Sequence, residues 1–129
     1  MHTIEQTYLI QAPLAKVWEA LTDAAVAEQW GAGPAKMDPT EGGEFSYWDG
    51  DIHGTNTKVI PEALLVQDWY GHNYPERVYK VTFTLREDNG TTTVKLRQPN
   101  VPDEELQDMT EGWSDYYFDP IKKLLEKLS

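Results

Sequence analysis

Few residues in this chain have the type and spacing that catalysis or metal binding demands. The histidines are His2, His53 and His72, and there is no cysteine. No two histidines stand at metal-ligand spacing and no His-Glu-x-x-His run is present, so no metal site is expected. The lack of cysteine removes disulfides, thiolate nucleophiles and Cys-ligated metals. His2 is terminal, His53 follows the turn Asp49-Gly50-Asp51, and His72 sits in the loop Gly71-His-Asn-Tyr-Pro75; all three read as ordinary exposed residues. Glu44, Asp49 and Asp51 are close enough in sequence to approach a divalent cation, but carboxylates at a hairpin ordinarily form the turn and stay solvated. Asp103, Glu104, Glu105, Asp108 and Glu111 read as the solvated first turns of a helix, at its positive end. An acid–base pair would have to come from Glu44, His53, Lys58, Asp68 and Tyr79, and nothing in their spacing singles out a pair. No catalytic residue is assigned. Gly31-Ala-Gly33 precedes a proline, not a helix, so it breaks the chain and does not cradle phosphate.

The aromatic residues are the stronger lead, with five Trp, seven Tyr and three Phe. Phe45 and Tyr47 share one strand face. Trp69 shares another with Leu65 and Gln67. Tyr79 and Phe83 share a third, and Trp113, Tyr116 and Tyr117 fall on a helix. Trp18, Phe83 and Trp113 are expected to fill the core, whereas Tyr47, Trp69, Tyr79 and Tyr117 suit either core or cavity wall. The candidate ligand-binding set is Trp30, Phe45, Tyr47, Trp69, Tyr79, Trp113 and Tyr117. Aromatic walls with a few hydroxyl or indole groups fit a mostly apolar ligand carrying one or two polar handles. The formal net charge of -11 disfavours anionic ligands, phosphate backbones and anionic lipid surfaces. Nucleic acid and membrane are therefore not expected partners, and neither is a cofactor.

These residues must be placed by a single domain, residues 1–129, given the chain length of 129 residues. The start, Met-His-Thr-Ile-Glu-Gln, does not read as a signal peptide, and no apolar run approaches spanning length, so a cytoplasmic location is expected. Ile4, Tyr8 and Ile10 alternate with polar residues and predict a strand. A helix opens at Ala12-Pro13 and carries Leu14, Val17, Trp18 and Leu21 on one stripe. Thr22 or Asp23 caps a second short helix, Ala24 to Gln29. Strands are then expected over Glu44–Trp48, Ile52–Ile60, Ala63–Tyr70, Val78–Arg86 and Thr91–Gln98. A loop over Gly71–Glu76 and an Asn89-Gly90 hairpin join them, and Pro99 and Pro102 end the sheet. Leu106, Met109, Trp113, Tyr116 or Tyr117, Ile121, Leu124 and Leu128 recur at the period of one helical face, so a long C-terminal helix must lie on that sheet. Pro120 should kink or split it.

The run Ile10-x-Ala12-Pro13-x-x-x-Val17-Trp18-x-Ala20-Leu21-Thr22-Asp23 resembles the opening motif of the homologues of the activator of Hsp90 ATPase. That family lies within the START-like, or polyketide-cyclase-like (SRPBCC), superfamily. Trp30, Gly42-Gly43-x-Phe45, Gly54, Pro61, Leu65 to Trp69, Gly90 and Gly112-Trp113 with Leu124-Leu125-Glu126 follow in the family's order, over nearly the whole chain. The resemblance implies an α+β helix-grip fold: a curved antiparallel sheet wrapped around a long C-terminal helix, with two short helices after the first strand and an apolar cavity. It implies a protein that binds a small hydrophobic or aromatic molecule. The alternatives are a co-chaperone-like protein that docks a chaperone in a stress response, or a cyclase- or hydrolase-like enzyme on the same scaffold. The polar strand Thr55–Lys58 and Pro120 depart from the family pattern, and no second domain of the kind found in the full Hsp90 activator is expected in this length.

Overall fold

The computed structural model of the chain describes residues 1–71 and 74–127, with the side chains of residues 71, 74–77 and 127 left aside. His72 and Leu128, both named from the sequence, lie outside the described residues, as does part of the expected 71–76 loop. The elements run β1 (His2–Ile10), α1 (Leu14–Thr22), α2 (Ala24–Gln29), β2 (Lys36–Met37), β3 (Glu44–Tyr47), β4 (Ile52–Ile60), β5 (Leu64–Gly71), β6 (Tyr74–Asp88) and β7 (Thr91–Val101). Helix α3 (Asp103–Gly112), a π-helical turn (Trp113–Phe118) and α4 (Asp119–Lys127) follow without a break. The strands form one curved, open antiparallel sheet in the order β1-β7-β6-β5-β4-β3-β2. This is the α+β helix-grip architecture that the aromatic helix and the strand run predict.

Two-residue alternation decides which face of the sheet meets the helix. On β6, Tyr79, Val81, Phe83 and Leu85 are buried, whereas Val78 is exposed. On β7, Thr92, Val94, Leu96 and Gln98 are buried, and on β1 Ile4 and Ile10 are buried while Leu9 is exposed. Register then stacks the inward rows: Phe45 opposes Gly54, Gly54 opposes Trp69, Trp69 opposes Tyr79 and Phe83 opposes Leu96. Gly54 is required by space. A Cβ there would fall 1.8 Å from the Asp68 carbonyl oxygen and 3.0 Å from the Phe45 ring. The small helices are pinned locally. Asp23 Oδ1 accepts hydrogen bonds from the backbone N–H groups of Ala25 at 2.8 Å and Val26 at 3.3 Å, which satisfies two free donors at the start of α2.

The C-terminal helix departs from simple periodicity. Across the π-helical turn the Asp119 N–H reaches back to the Ser114 carbonyl, five residues away. The wider turn sits immediately before Pro120, whose ring and missing N–H disrupt ordinary helical bonding. The extra residue shifts the apolar stripe. Trp113, Tyr117, Phe118, Ile121 and Leu125 are buried, while Tyr116 is 70% exposed and Leu124 only half-buried. The helix is not split at Pro120: α4 continues through it, and the irregularity is the wide turn upstream.

Beyond shifts of one or two residues at strand ends, three points differ from the sequence reading. β2 pairs Lys36 with Ser46 and Met37 with Phe45, but two residues carry too little alternation to be recognised. β6 starts at Tyr74, ahead of Val78. β7 runs through Pro99 to Val101, because the ladder with β1 is irregular there and needs no N–H from Pro99.

Candidate functional site

An open cleft of about 480 Å³ lies where the sheet meets α3 and the π-helical turn. Its lining comes from four directions: Trp48, Asp51 and Ile52 around the β3–β4 turn, Trp69 on β5 and Tyr79 on β6, Gln98 on β7, and Asp108, Met109, Gly112, Trp113, Tyr116 and Tyr117 on the helix. The strand phases place Trp69 and Tyr79 on the inward row, and the π-helical turn swings Trp113 and Tyr117 against them. The rings of Trp69 and Trp113 are 4.9 Å apart, those of Trp113 and Tyr117 5.0 Å, and those of Trp69 and Tyr117 6.0 Å.

Four of the seven candidate ligand-binding residues, Trp69, Tyr79, Trp113 and Tyr117, line this cleft. The other three lie behind it in a packed aromatic layer. Trp30 is 4.8 Å from Tyr117, Phe45 is 5.7 Å from Trp69, and Tyr47 is 5.6 Å from Phe45. Trp30, Phe45 and Tyr47 are all buried, and the Trp30 indole donates to the Ala20 carbonyl at 2.9 Å. They support the cleft wall without forming its surface.

Two of the three indoles at the cleft are tied by buried glutamines, and the third, Trp48, donates to the Gly31 carbonyl at 2.9 Å. Trp69 Nε1 donates to Gln67 Oε1 at 2.7 Å, Gln67 Nε2 donates to Asn56 Oδ1 at 2.8 Å, and Asn56 Nδ2 donates to the Asp38 carbonyl at 2.7 Å. Trp113 Nε1 donates to Gln98 Oε1 at 2.8 Å. Tyr79 donates its hydroxyl hydrogen to Glu105 Oε1. Glu105 is only 2% exposed, which corrects the reading of the whole acidic run as solvated. Asp103, Glu104, Asp108 and Glu111 are exposed as expected, but Glu105 is turned inward one helical turn before Met109. The polar strand around Asn56 is explained by the same network. Gln67, Gln98, Asn56 and Glu105 escaped sequence reasoning because an inward polar residue has no periodic signature of its own. Their only signal was phase, since Gln67 and Gln98 occupy apolar-row positions.

Burial dominates the electrostatics. It raises the Tyr47 phenol well above its usual pKa of 10.0, and it does the same for Tyr117, where the neighbouring Tyr47 adds to the effect. Tyr47 donates to the Leu21 carbonyl at 3.3 Å. The Tyr117 hydroxyl is buried beside that of Tyr47 and makes no well-formed hydrogen bond among the described residues. Tyr8, stacked 4.2 Å from Phe118, also titrates above its usual value, first through burial and then through Asp119 and Asp115, against a hydrogen bond to Ser114.

The five acid–base candidates are not brought together. Glu44, His53 and Lys58 are exposed, and Asp68 is half-buried on the opposite phase of β5 from Gln67 and Trp69. His53 stacks on Tyr70 at 5.4 Å, and with Glu44 it borders a separate polar depression of about 880 Å³ near β2, β3 and β4. Tyr79 alone reaches the cleft. No three His, Asp or Glu side chains converge as a metal site among the described residues. His2 bonds Asp103 and so fastens β1 to the start of α3. No helix among the described residues is long and apolar enough to cross a membrane.

Known proteins resemble this chain in sequence and fold. Human "Activator of 90 kDa heat shock protein ATPase homolog 1" is 27% identical over 122 residues, covering 94% of this chain and 36% of that protein. The chain thus spans about a third of the length of the curated relatives it matches. A solved Hsp90 activator from Plasmodium falciparum superposes with a TM-score of 0.89 at 24% identity, covering 98% of this chain and 97% of that one. A putative protein of the dynemicin biosynthetic locus superposes with a TM-score of 0.81 at 24% identity, covering 98% of this chain and 48% of that one. At these identities the structural likenesses establish the fold alone. The family model described as "Activator of Hsp90 ATPase homolog 1-like protein" matches residues 11–126. That span takes in every element from α1 through nearly all of α4, including the whole cleft lining, and so the chain belongs to the Activator of Hsp90 ATPase homolog 1-like family.

Proposed function

We propose that the chain binds a small, neutral or weakly cationic, mostly apolar molecule in the cleft between the sheet and the C-terminal helix. The observation that carries this reading is the aromatic wall of Trp69, Tyr79, Trp113 and Tyr117 around about 480 Å³ of open space. Such a volume falls within the range of roughly 300–1,000 Å³ that small-molecule sites occupy. Asp51 and Asp108 border the cleft, and together with the net charge of -11 they disfavour an anion. A cyclase- or hydrolase-like reaction draws less support, because Tyr79 is the one acid–base candidate at the cleft and its hydroxyl hydrogen is given to Glu105.

The test is a panel of neutral aromatic and lipid-like compounds, read by tryptophan fluorescence and by melting temperature. Ligand at a hundredfold excess over its Kd adds about 2.7 kcal/mol of stability, which a melting curve resolves easily. Binding should weaken in Trp69→Ala. If no compound shifts the melting curve or the NMR signals of the four aromatics, the cleft is not a binding site.

A second reading rests on the relatives. Proteins named as activators of Hsp90 ATPase match over nearly the whole of this chain. On that reading the chain docks a chaperone through its outer surface and acts in a stress response. Adding the chain to purified Hsp90 and following ATP turnover tests it directly; an unchanged rate removes this reading.

A further inference from the structure

The cleft presents one strong hydrogen-bond donor that the fold leaves poorly satisfied. Gln98 is 3% exposed, lies on the inward row of β7 and lines the cleft. Its orientation follows from chemistry. An indole N–H can only donate, so the Gln98 atom 2.8 Å from Trp113 Nε1 is the amide oxygen. The amide nitrogen therefore faces the other way, 3.4 Å from the Met109 sulfur. A thioether is a weak acceptor, and it is the only acceptor that Nε2 finds among the described residues. The neighbouring polar groups are already engaged: the Trp69 indole donates to Gln67, and the Tyr79 hydroxyl donates to Glu105. The other under-partnered polar atom, the Tyr117 hydroxyl, sits against Tyr47 behind the cleft wall. A buried N–H pair held against sulfur rewards any ligand oxygen that reaches it, because leaving such a donor unpaired is costly.

We infer that Gln98 sets the polar specificity of the cleft, selecting apolar molecules that carry a hydrogen-bond acceptor such as a carbonyl or ether oxygen over equally shaped hydrocarbons. The inference rests on the cleft being a binding site. Met109 forms the movable side of this position, since an unbranched thioether side chain can swing away as an oxygen takes its place. Trp113 is the fixed side, holding the amide from turning over.

A matched pair of probes tests this. 1-Tetralone and tetralin share a bicyclic outline and differ by a carbonyl in place of a methylene. Calorimetry on the full chain should show tetralone binding about tenfold more tightly, the preference one neutral hydrogen bond supports. In NMR the side-chain amide signals of Gln98 should move with tetralone and stay nearly still with tetralin, a readout that needs no variant. Gln98→Met keeps the length but removes both the amide donor and the acceptor of the Trp113 indole, so it is read as a ratio: the preference for tetralone over tetralin should vanish whatever the absolute affinities become, and a preference kept at tenfold would overturn the assignment. Gln98→Leu should lose the preference likewise. Equal affinities for the two probes, with the Gln98 amide unmoved, would overturn the assignment while leaving the binding reading intact. Failure of both probes to bind would overturn the two together.

Discussion

Replacing Trp113 by alanine probes the cleft and the core at once. Its indole is 6% exposed and meets Trp69 at 4.9 Å, Tyr117 at 5.0 Å and Phe83 at 5.8 Å. Truncating a buried Trp to Ala costs about 3–5 kcal/mol. One side of this ring borders open space, so water fills part of the void and the cavity contribution is smaller than in a closed core. Gln98 Oε1 also loses its donor. Together these place the loss at roughly 3–4 kcal/mol. For a domain of this size that lowers the melting temperature by roughly 10–15 °C. Trp113→Phe separates the two contributions. It keeps a ring against Phe83 and Tyr117 and removes only the N–H and part of the area, for about 1–2 kcal/mol. Urea unfolding followed by far-ultraviolet circular dichroism measures both variants, with an unchanged m-value required for the comparison. A loss below about 1 kcal/mol for Trp113→Ala would refute the reasoning, because a ring so placed in the core cannot be removed that cheaply.

Two further substitutions test the polar and electrostatic account. Tyr117→Phe removes a buried hydroxyl that lies beside Tyr47 and makes no well-formed hydrogen bond among the described residues, so stability should stay within about 0.5 kcal/mol of the parent or rise. A loss of more than about 1 kcal/mol in the same urea experiment would mean the hydroxyl is satisfied in solution. Stability should hold up to about pH 10 and fall above it. The folded state keeps Tyr47 and Tyr117 protonated beyond the usual value of 10.0. The unfolded chain releases those protons near pH 10, and so gains on the folded state as pH rises. Each group should withdraw about 1 kcal/mol by pH 11, and Tyr47→Phe should make that fall shallower. Absorbance at 295 nm in which both buried phenols titrate before the protein unfolds would contradict this.

Residue pattern and structure agree where one rule dominates. The rows Tyr79-Val81-Phe83-Leu85 and Val94-Leu96 are plain alternation, and Asp23 is a helix cap by side-chain chemistry. Agreement fails where two rules compete. Pro99 looked like a strand end because proline cannot donate to a ladder, yet the irregular β1–β7 pairing gives it a place that asks for no donor. Leu124 looked buried because a uniform helical period carries the stripe through it. The π-helical turn before Pro120 moves burial to Phe118 and Leu125 instead. A single extra residue in a turn leaves no trace in a hydrophobic pattern, whereas its effect on every later side chain is large.

The same reasoning explains why only part of the cleft, four of its twelve lining residues, was legible. Aromatic residues on inward phases announce themselves, so Trp69, Tyr79, Trp113 and Tyr117 could be named from sequence. The groups that hold them could not. Gln67, Gln98 and Glu105 are types that normally face water, and each is inward only because a donor already waits there: an indole N–H for the two glutamines and a phenol for the glutamate. A buried tryptophan or tyrosine must satisfy its polar atom, so an inward aromatic on a strand or helix calls for a polar partner on a facing row. Applied to Trp113, that rule looks across to β7 and finds Gln98 as the inward polar side chain opposite. The residue that satisfies the indole is then left with its own amide hydrogens facing sulfur. Packing one aromatic wall thereby leaves an amide donor at the cleft, and on the proposed reading the side chain that satisfies Trp113 is also the one that would select the ligand.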